Sequence, residues 1–144
     1  INEPNAKKIY IDQGDLIASS KPIYTNFVGS CSILGFRINN INFLVHIDGL
    51  RNEQYIIKYI KHNFTQKMLH EIQYVYIIAG TWCDNTRCYN SNLSIIKAKI
   101  ILNEFKIFNK IKIINPVESR IQWKDNITIS KKGIQIGDHH IISF

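Results

Sequence analysis

The chain has 144 residues, of which 45% are hydrophobic and 20% are charged, and its formal net charge at pH 7 is +7. A chain of this length is expected to form a single domain, residues 1–144, that buries about two thirds of its unfolded surface without covalent support. Its three cysteines are too few for a disulfide scaffold, and no run approaches the roughly 18 apolar residues of a membrane span. These features exclude disulfide-rich and membrane-spanning proteins, and they favour a reducing, cytoplasmic location.

The first third of the chain alternates short apolar runs with turn residues. We predict a short strand at residues 8–11 and an extended run at residues 23–28. Two β-prone runs follow, Ser32–Ile38 and Ile41–Ile47, and the pair Asn39-Asn40 between them tolerates the positive φ angles of a two-residue type I′ turn. The sequence therefore predicts that these two runs form a β-hairpin.

The turn also fixes the register of this hairpin, which places Ile33 opposite His46 and Cys31 opposite Asp48. Because side chains alternate between the two faces of a strand, Cys31, His46 and Asp48 should share one face of the sheet. Cys31 and His46 are then diagonal neighbours, with Cβ atoms roughly 5 to 8 Å apart. This register predicts a thiol and an imidazole within reach of each other.

A cysteine beside a histidine is typical of cysteine hydrolases. A thiol with the ordinary pKa of about 8.5 is only slightly ionised at neutral pH, and a neighbouring imidazole can accept its proton to form a thiolate-imidazolium pair. Gly29 and Ser30 directly precede Cys31 and allow a tight turn whose backbone N–H groups face a developing oxyanion. Cys31 by itself also fits a buried core strand, but the shared face with His46 and Asp48 favours catalysis.

The rest of the chain predicts helices that alternate with strands. A helix capped by Asn52 should run to about Asn63. A central strand follows at 73–80, and a loop at 81–90 should flank the site. A second helix, capped by Ser91 or Asn92, should carry the apolar positions Leu93, Ile96, Ile100, Ile101 and Phe105. The last predicted elements are a strand at 110–114 and a terminal hairpin of 126–130 with 133–136. Together they predict an α/β or α+β sandwich, in which a mixed β-sheet with the catalytic hairpin is covered by two helices.

Metal, cofactor and nucleic-acid binding find little support in the sequence. Cys83 and Cys88 have an unusual spacing for zinc ligands, and His139-His140 is a weak second pair, so neither a metal nor a cofactor is expected. Much of the positive charge falls in amphipathic segments, where a solvated face is the default, and no recognised nucleic-acid-binding motif is present. A basic nucleic-acid-binding domain remains an alternative. The net positive charge instead favours a protein partner with an acidic surface. The polar segment 1–12 does not look like a signal peptide, and a secreted or injected effector stays open.

A resemblance to known enzymes rests on a few residues of this region. Thr25, the Gly29-Ser30-Cys31 triplet and His46 resemble the Thr, Gly-Ser-Cys and His pattern of the CheD chemoreceptor glutamine deamidases, with the threonine six residues before the cysteine. The His46-Ile47-Asp48-Gly49 segment resembles the H-x-D-G stretch of N-terminal asparagine amidohydrolases. More distantly, the Cys-His pairing is similar to that of bacterial toxin deamidase domains such as cytotoxic necrotizing factor.

The resemblance covers residues 21–114 in element order and implies a role for each matching residue. It implies Cys31 as the nucleophile, His46 as the base and acid, and Thr25 as the group that holds the imidazole, while Gly29, Ser30 and Asp48 are expected at the substrate. We predict that Thr25 orients the ring, and that Asp48 caps the turn after the strand.

The predicted function is therefore a cysteine amidohydrolase that deamidates a glutamine side chain of a protein through a thioester. The alternatives are an N-terminal asparagine amidohydrolase and a non-catalytic binding module of the same fold.

Overall fold

The computed structural model describes residues 7–29, 31–78, 88–108, 110–114, 124–138 and 140–142. Within these ranges the strands are β1 (Ile9–Tyr10), β2 (Leu16–Ser19), β3 (Ile23–Thr25), β4 (Ser32–Ile38), β5 (Ile41–Ile47), β6 (Val75–Ile78), β7 (Ile111–Ile114), β8 (Ile127–Ser130), β9 (Gly133–Ile136) and β10 (His140–Ile142). The helices are α1 (Gln54–Asn63), α2 (Gln66–His70) and α3 (Cys88–Glu104).

The strands form two five-stranded sheets. The first sheet has the order β1-β3-β8-β9-β10, and the second has the order β2-β5-β4-β6-β7. Both sheets are mixed, because β1 and β3 run parallel in the first, and β6 and β7 run parallel in the second. The predicted α+β sandwich is confirmed at this level. A single sheet covered by two helices is wrong, since a second sheet and a short third helix are present.

The β4–β5 hairpin lies in the middle of the sandwich. On one face Leu34, Phe36 and Val45 belong to an apolar core shared with α1 and α3. On the other face Ile33 and Leu44 belong to a second core shared with the first sheet. A sheet covered on both faces buries apolar side chains at nearly every position, which explains why these two strands are so uniformly hydrophobic.

The predicted register of the hairpin is confirmed. Ile38 pairs with Ile41, and Ile33 pairs with His46. Asn39 and Asn40 have φ angles of 48° and 67°, in the left-handed region that the two-residue turn requires. His46 therefore lies on the face of β5 that is directed toward the first sheet, as Leu44 does.

Three short elements are absent from the predictions. Strand β2 pairs with the edge of β5 and is half-buried throughout, so its sequence lacks the alternation that marks a strand. Helix α2 has five residues, too few for a helical period. Thr65 caps its start, because its Oγ1 accepts a hydrogen bond from the Met68 amide. Strand β10 has three residues and pairs with β9.

Helix α3 differs from its prediction in both its start and its buried face. It begins at Cys88 and not after Ser91 or Asn92, so residues 88–90 of the predicted loop are helical. Ile96 and Ile100 are exposed. From residue 93 onward, where the side chains are described, α3 buries Ser94, Ala98, Ile101 and Leu102, and Phe105 is buried just beyond the helix. Isoleucines occur on both the buried and the exposed side of the helix, so the positions of apolar residues do not identify the buried face.

Several predicted elements are shorter than expected or lie outside the described residues. The extended run at 23–28 ends at Thr25, and the central strand begins at Val75, two residues later than predicted, and is described to Ile78. Ser30, residues 79–87 with Cys83, and His139 lie outside the described residues. In the parts of the chain that the structure describes, no helix is long and apolar enough to cross a membrane.

Candidate functional site

Three chain segments carry the predicted catalytic residues, and two of these segments belong to different sheets. Thr25 is the last residue of β3 in the first sheet, where it pairs with Ile127. His46 lies near the end of β5 in the second sheet, and Cys31 directly precedes β4. All three predicted catalytic residues are buried, with exposed fractions of 0% for Thr25, 2% for His46 and 4% for Cys31. The site is therefore built between the sheets.

A hydrogen bond between the two sheets fixes the imidazole ring. Thr25 Oγ1 lies 2.8 Å from His46 Nδ1, and both side chains are buried. The two residues belong to different sheets, so the packing of the sandwich sets the orientation of the ring. A hydroxyl that accepts the Nδ1 proton leaves Nε2 with a lone pair, which is the form that can act as a base.

The backbone of His46 is held by a neighbouring turn. The Gly14 amide donates to the His46 carbonyl at 2.9 Å, and the His46 amide donates to the Asp15 carbonyl at 3.1 Å. Gly14 has a φ of +85°, and a Cβ at this position would lie 3.1 Å from the Arg51 guanidinium. This turn follows the predicted strand at residues 8–11, and the structure shows that its backbone holds that of His46.

The other ring nitrogen of His46 is unsatisfied. Among the described residues, His46 Nε2 is the one buried side-chain nitrogen or oxygen without a hydrogen-bond partner. Such an atom typically costs about 1 to 3 kcal/mol, and native structures contain few of them. Cys31 therefore does not hydrogen bond to Nε2 in this structure. Catalytic hydrogen bonds are often long before substrate binds, so this geometry is compatible with a base that awaits its reaction.

Electrostatics favour a neutral imidazole. Burial lowers the pKa of His46 from 6.5 to about 4, and the carboxylates of Asp12, Asp48 and Asp15 offset only part of this effect. At pH 7 the ring is uncharged. The resting thiolate-imidazolium pair expected from the sequence is therefore not supported, because the imidazole of that pair would have to be charged at rest.

The carboxylate of Asp48 hydrogen bonds to groups other than the His46 ring. Its Oδ1 accepts a hydrogen bond from the Leu50 amide at 2.9 Å, and its Oδ2 accepts one from Gln13 Nε2 at 3.1 Å. The carboxylate thus caps the turn that follows β5, as predicted, while the hydrogen-bond partner of the His46 ring is Thr25. Asp48 influences His46 only through its charge.

The turn before the thiol has an unusual backbone. Phe27 has a φ of 56°, which bulky residues rarely adopt, and its carbonyl accepts a hydrogen bond from the Gly29 amide at 3.1 Å. The Gly29 amide is therefore already hydrogen bonded within the turn. Phe27 is 49% exposed, so the strained residue presents an aromatic ring at the surface near Cys31. Strain of this kind accumulates at functional sites.

Two further contacts near the site were not predicted. Ser32, adjacent to Cys31, makes a buried 2.6 Å hydrogen bond with Ser94 and so ties the start of β4 to α3. Tyr55 Oη donates to the Gly14 carbonyl at 2.9 Å, beneath the guanidinium of Arg51. Nothing in the sequence links these residues, because each contact joins elements that are distant in the chain.

The lowered pKa of His46 predicts a pH-dependent stability. Between pH 6.5 and about 4 the unfolded chain binds a proton at this position that the folded chain rejects. The free energy of unfolding should therefore fall by roughly 3 kcal/mol across this window because of His46, and the effect should be absent above pH 7. Urea titrations of the wild type and His46→Gln should diverge accordingly, with the exposed His62→Gln as control. Parallel pH dependences for the wild type and His46→Gln would contradict the burial argument.

Two comparisons with known proteins bear on the family of this chain. No protein-family model matches the sequence, and no curated protein matches it significantly. Function is therefore inferred from the geometry around Cys31 and His46, together with the short motif that these residues form.

Proposed function

We propose that the chain is a cysteine amidohydrolase that converts a glutamine side chain of a protein substrate into glutamate. Cys31 is the nucleophile, His46 is the general base and acid, and Thr25 is a positioning residue. The observation that carries this proposal is the state of the His46 ring, whose Nδ1 is held by Thr25 while its buried Nε2 has no partner among the described residues. A purely structural histidine at this depth would be expected to satisfy both nitrogens.

The chemistry follows from a neutral imidazole beside a thiol. His46 Nε2 takes the proton of Cys31 as the sulfur attacks the carboxamide carbon, and the imidazolium then protonates the departing nitrogen. The C–N bond breaks, ammonia leaves, and an acyl thioester on Cys31 remains. Water, activated by the same nitrogen, hydrolyses the thioester to the carboxylic acid and restores the thiol.

The charges around His46 suit this cycle. The ring must become positive for an instant although burial disfavours the charged form. Asp12, Asp15 and Asp48 each stabilise the imidazolium from a distance, and none of them replaces Thr25 as the hydrogen-bond partner. The ring is neutral at rest, and nearby carboxylates stabilise it when it is charged. It can therefore both accept the thiol proton and donate a proton to the leaving nitrogen.

Burial of the reacting groups points to a macromolecular substrate. Cys31 is 4% exposed, so a carboxamide reaches its sulfur only after the residues around it move. Contacts remote from the reacting centre can supply the free energy for such an opening, and a protein offers more of them than free glutamine does. The net charge of +7 favours a substrate with an acidic surface.

Deamidation of proteins in a cell lysate tests the proposal. The wild type, incubated with lysate in water enriched in ¹⁸O, should release ammonia and produce glutamate labelled with ¹⁸O at a restricted set of glutamine side chains, as read by peptide mass spectrometry. Free glutamine should remain intact. Labelling confined to N-terminal asparagine would reassign the activity, and no labelling beyond that of untreated lysate would indicate a non-catalytic binding module.

A further inference from the structure

A second polar site lies far from Cys31, in a cleft with a volume of about 410 Å³. We call it the basic cleft, because its lining includes five cationic side chains, those of Lys8, Lys21, Arg37, Lys131 and Lys132. No aspartate or glutamate is among the described residues that line it. Pro22 and the polar residues Ser20, Asn42, Thr128, Ser130 and Gln135 complete the lining.

In the part of the chain that the structure describes, Arg37 is held by asparagines and by no carboxylate. Its Nη1 donates to Asn42 Oδ1 at 2.6 Å, and its Nη2 donates to Asn40 Oδ1 at 3.5 Å. Asn42 Nδ2 in turn donates to the Lys21 carbonyl at 3.0 Å, so the chain that carries Lys21 is tied to the guanidinium. These partners are neutral amides, which orient the half-buried guanidinium but leave its charge uncompensated.

The charge pattern identifies the chemistry of the ligand. Five cations around one cleft repel each other, and an anion that enters it relieves this repulsion. A guanidinium fork pairs with the oxygens of phosphate, and lysine ammonium groups and hydroxyls add point contacts to the remaining oxygens. The volume lies in the range of small-ligand sites and exceeds the need of a single phosphate.

The basic cleft is separate from the Cys31 site although it uses the same strands. Arg37 is six residues after Cys31 along β4, Asn42 is four residues before His46 along β5, and Lys21 is four residues before Thr25. At about 3.3 Å per residue the two sites lie roughly 13 to 20 Å apart along the strands. A ligand in the cleft would therefore leave the thiol accessible to its own substrate.

We propose that the basic cleft binds an anion that carries two or more phosphate groups. The shared chemistry is that of a polyphosphate, and two sources can supply it, a free molecule or the headgroup of a phosphoinositide lipid. This site is independent of the proposed deamidase activity.

Inorganic tripolyphosphate and lipid vesicles test the proposal at constant ionic strength. Calorimetry should show saturable binding of tripolyphosphate to the wild type, or flotation should show binding to phosphatidylcholine vesicles only when they contain phosphatidylinositol bisphosphate. Either result supports the proposal, the first for a free ligand and the second for a headgroup. The double variant Lys131→Gln with Lys132→Gln should weaken binding at least about tenfold, since two charged contacts are lost.

A matched variant distinguishes loss of contacts in the basic cleft from loss of net charge. Lys58→Gln with Lys99→Gln removes the same charge from exposed positions on α1 and α3, and it should leave the affinity nearly unchanged. Arg37→Lys, which keeps the charge but loses the planar fork, should also weaken binding. Absence of binding to both probes, or equal losses in the cleft variant and its matched control, would overturn the proposal.

Discussion

Replacement of Cys31 by serine should reduce protein deamidation by at least about a thousandfold. Serine is close to cysteine in shape, but its hydroxyl is a far weaker acid than a thiol. A base whose own pKa is lowered to about 4 is poorly suited to activate it. The labelled glutamate produced from lysate should fall to background, as measured by mass spectrometry.

Two controls accompany this result: replacement of each of the other two cysteines, and a check that the Cys31→Ser protein is folded. Cys83→Ser and Cys88→Ser should retain activity, because the motif assigns them no role. Circular dichroism should show a folded Cys31→Ser protein, since the exchange places a small hydroxyl where a small thiol was buried. A Cys31→Ser protein that keeps more than about a tenth of the wild-type rate would show that Cys31 is not the nucleophile.

Replacement of Thr25 by alanine should lower turnover by roughly two orders of magnitude, the range typical of a misaligned general base. The substitution removes the 2.8 Å contact that fixes Nδ1, so the ring is free to rotate or to carry its proton on Nε2. The loss should fall on kcat with little change in KM. Thr25→Ser, which keeps the hydroxyl, should restore most of the rate, a rescue that a merely structural role would not produce.

Asp48 provides the matched comparison. Asp48→Asn keeps the shape of the side chain and its contact with the Leu50 amide, so its cost should be small. The isotope shifts of the His46 ring nitrogens in NMR spectra report the tautomer and should change in Thr25→Ala but not in Asp48→Asn. Loss of the Asp48 charge should lower the pKa of His46 somewhat in either case. If Asp48→Asn is the more damaging change and also alters the tautomer of the His46 ring, the triad is Cys-His-Asp.

The hairpin was predictable because neighbouring residues in the sequence determine it. Two apolar runs and the Asn39-Asn40 turn determine the register, and the parity of the strands then places Ile33 opposite His46. The same reasoning places Cys31 on the face of His46. Asp48 was predictable for a similar reason, since an aspartate before a glycine at a strand end commonly caps the turn.

The environment of the hairpin was not predictable from these local patterns. Thr25 and His46 meet across two sheets, and only the motif resemblance pointed to their contact. The pKa of His46 depends on its burial by the first sheet, which the sequence analysis did not anticipate. The backbone hydrogen bonds that Gly14 and Asp15 make with His46 join segments about thirty residues apart. A single sequence carries no signal for such a pairing.

Capture of the acyl-enzyme tests the central claim most directly. The protein is mixed with lysate, quenched in acid within seconds, and digested without reducing agent, and the peptide that contains Cys31 is then examined by mass spectrometry. We expect a thioester between Cys31 and a former glutamine side chain that has lost ammonia, cleaved by hydroxylamine and absent from His46→Gln. Turnover without any adduct on Cys31, or an adduct on Cys83 or Cys88 instead, would contradict the assignment of Cys31, His46 and Thr25 as a catalytic unit.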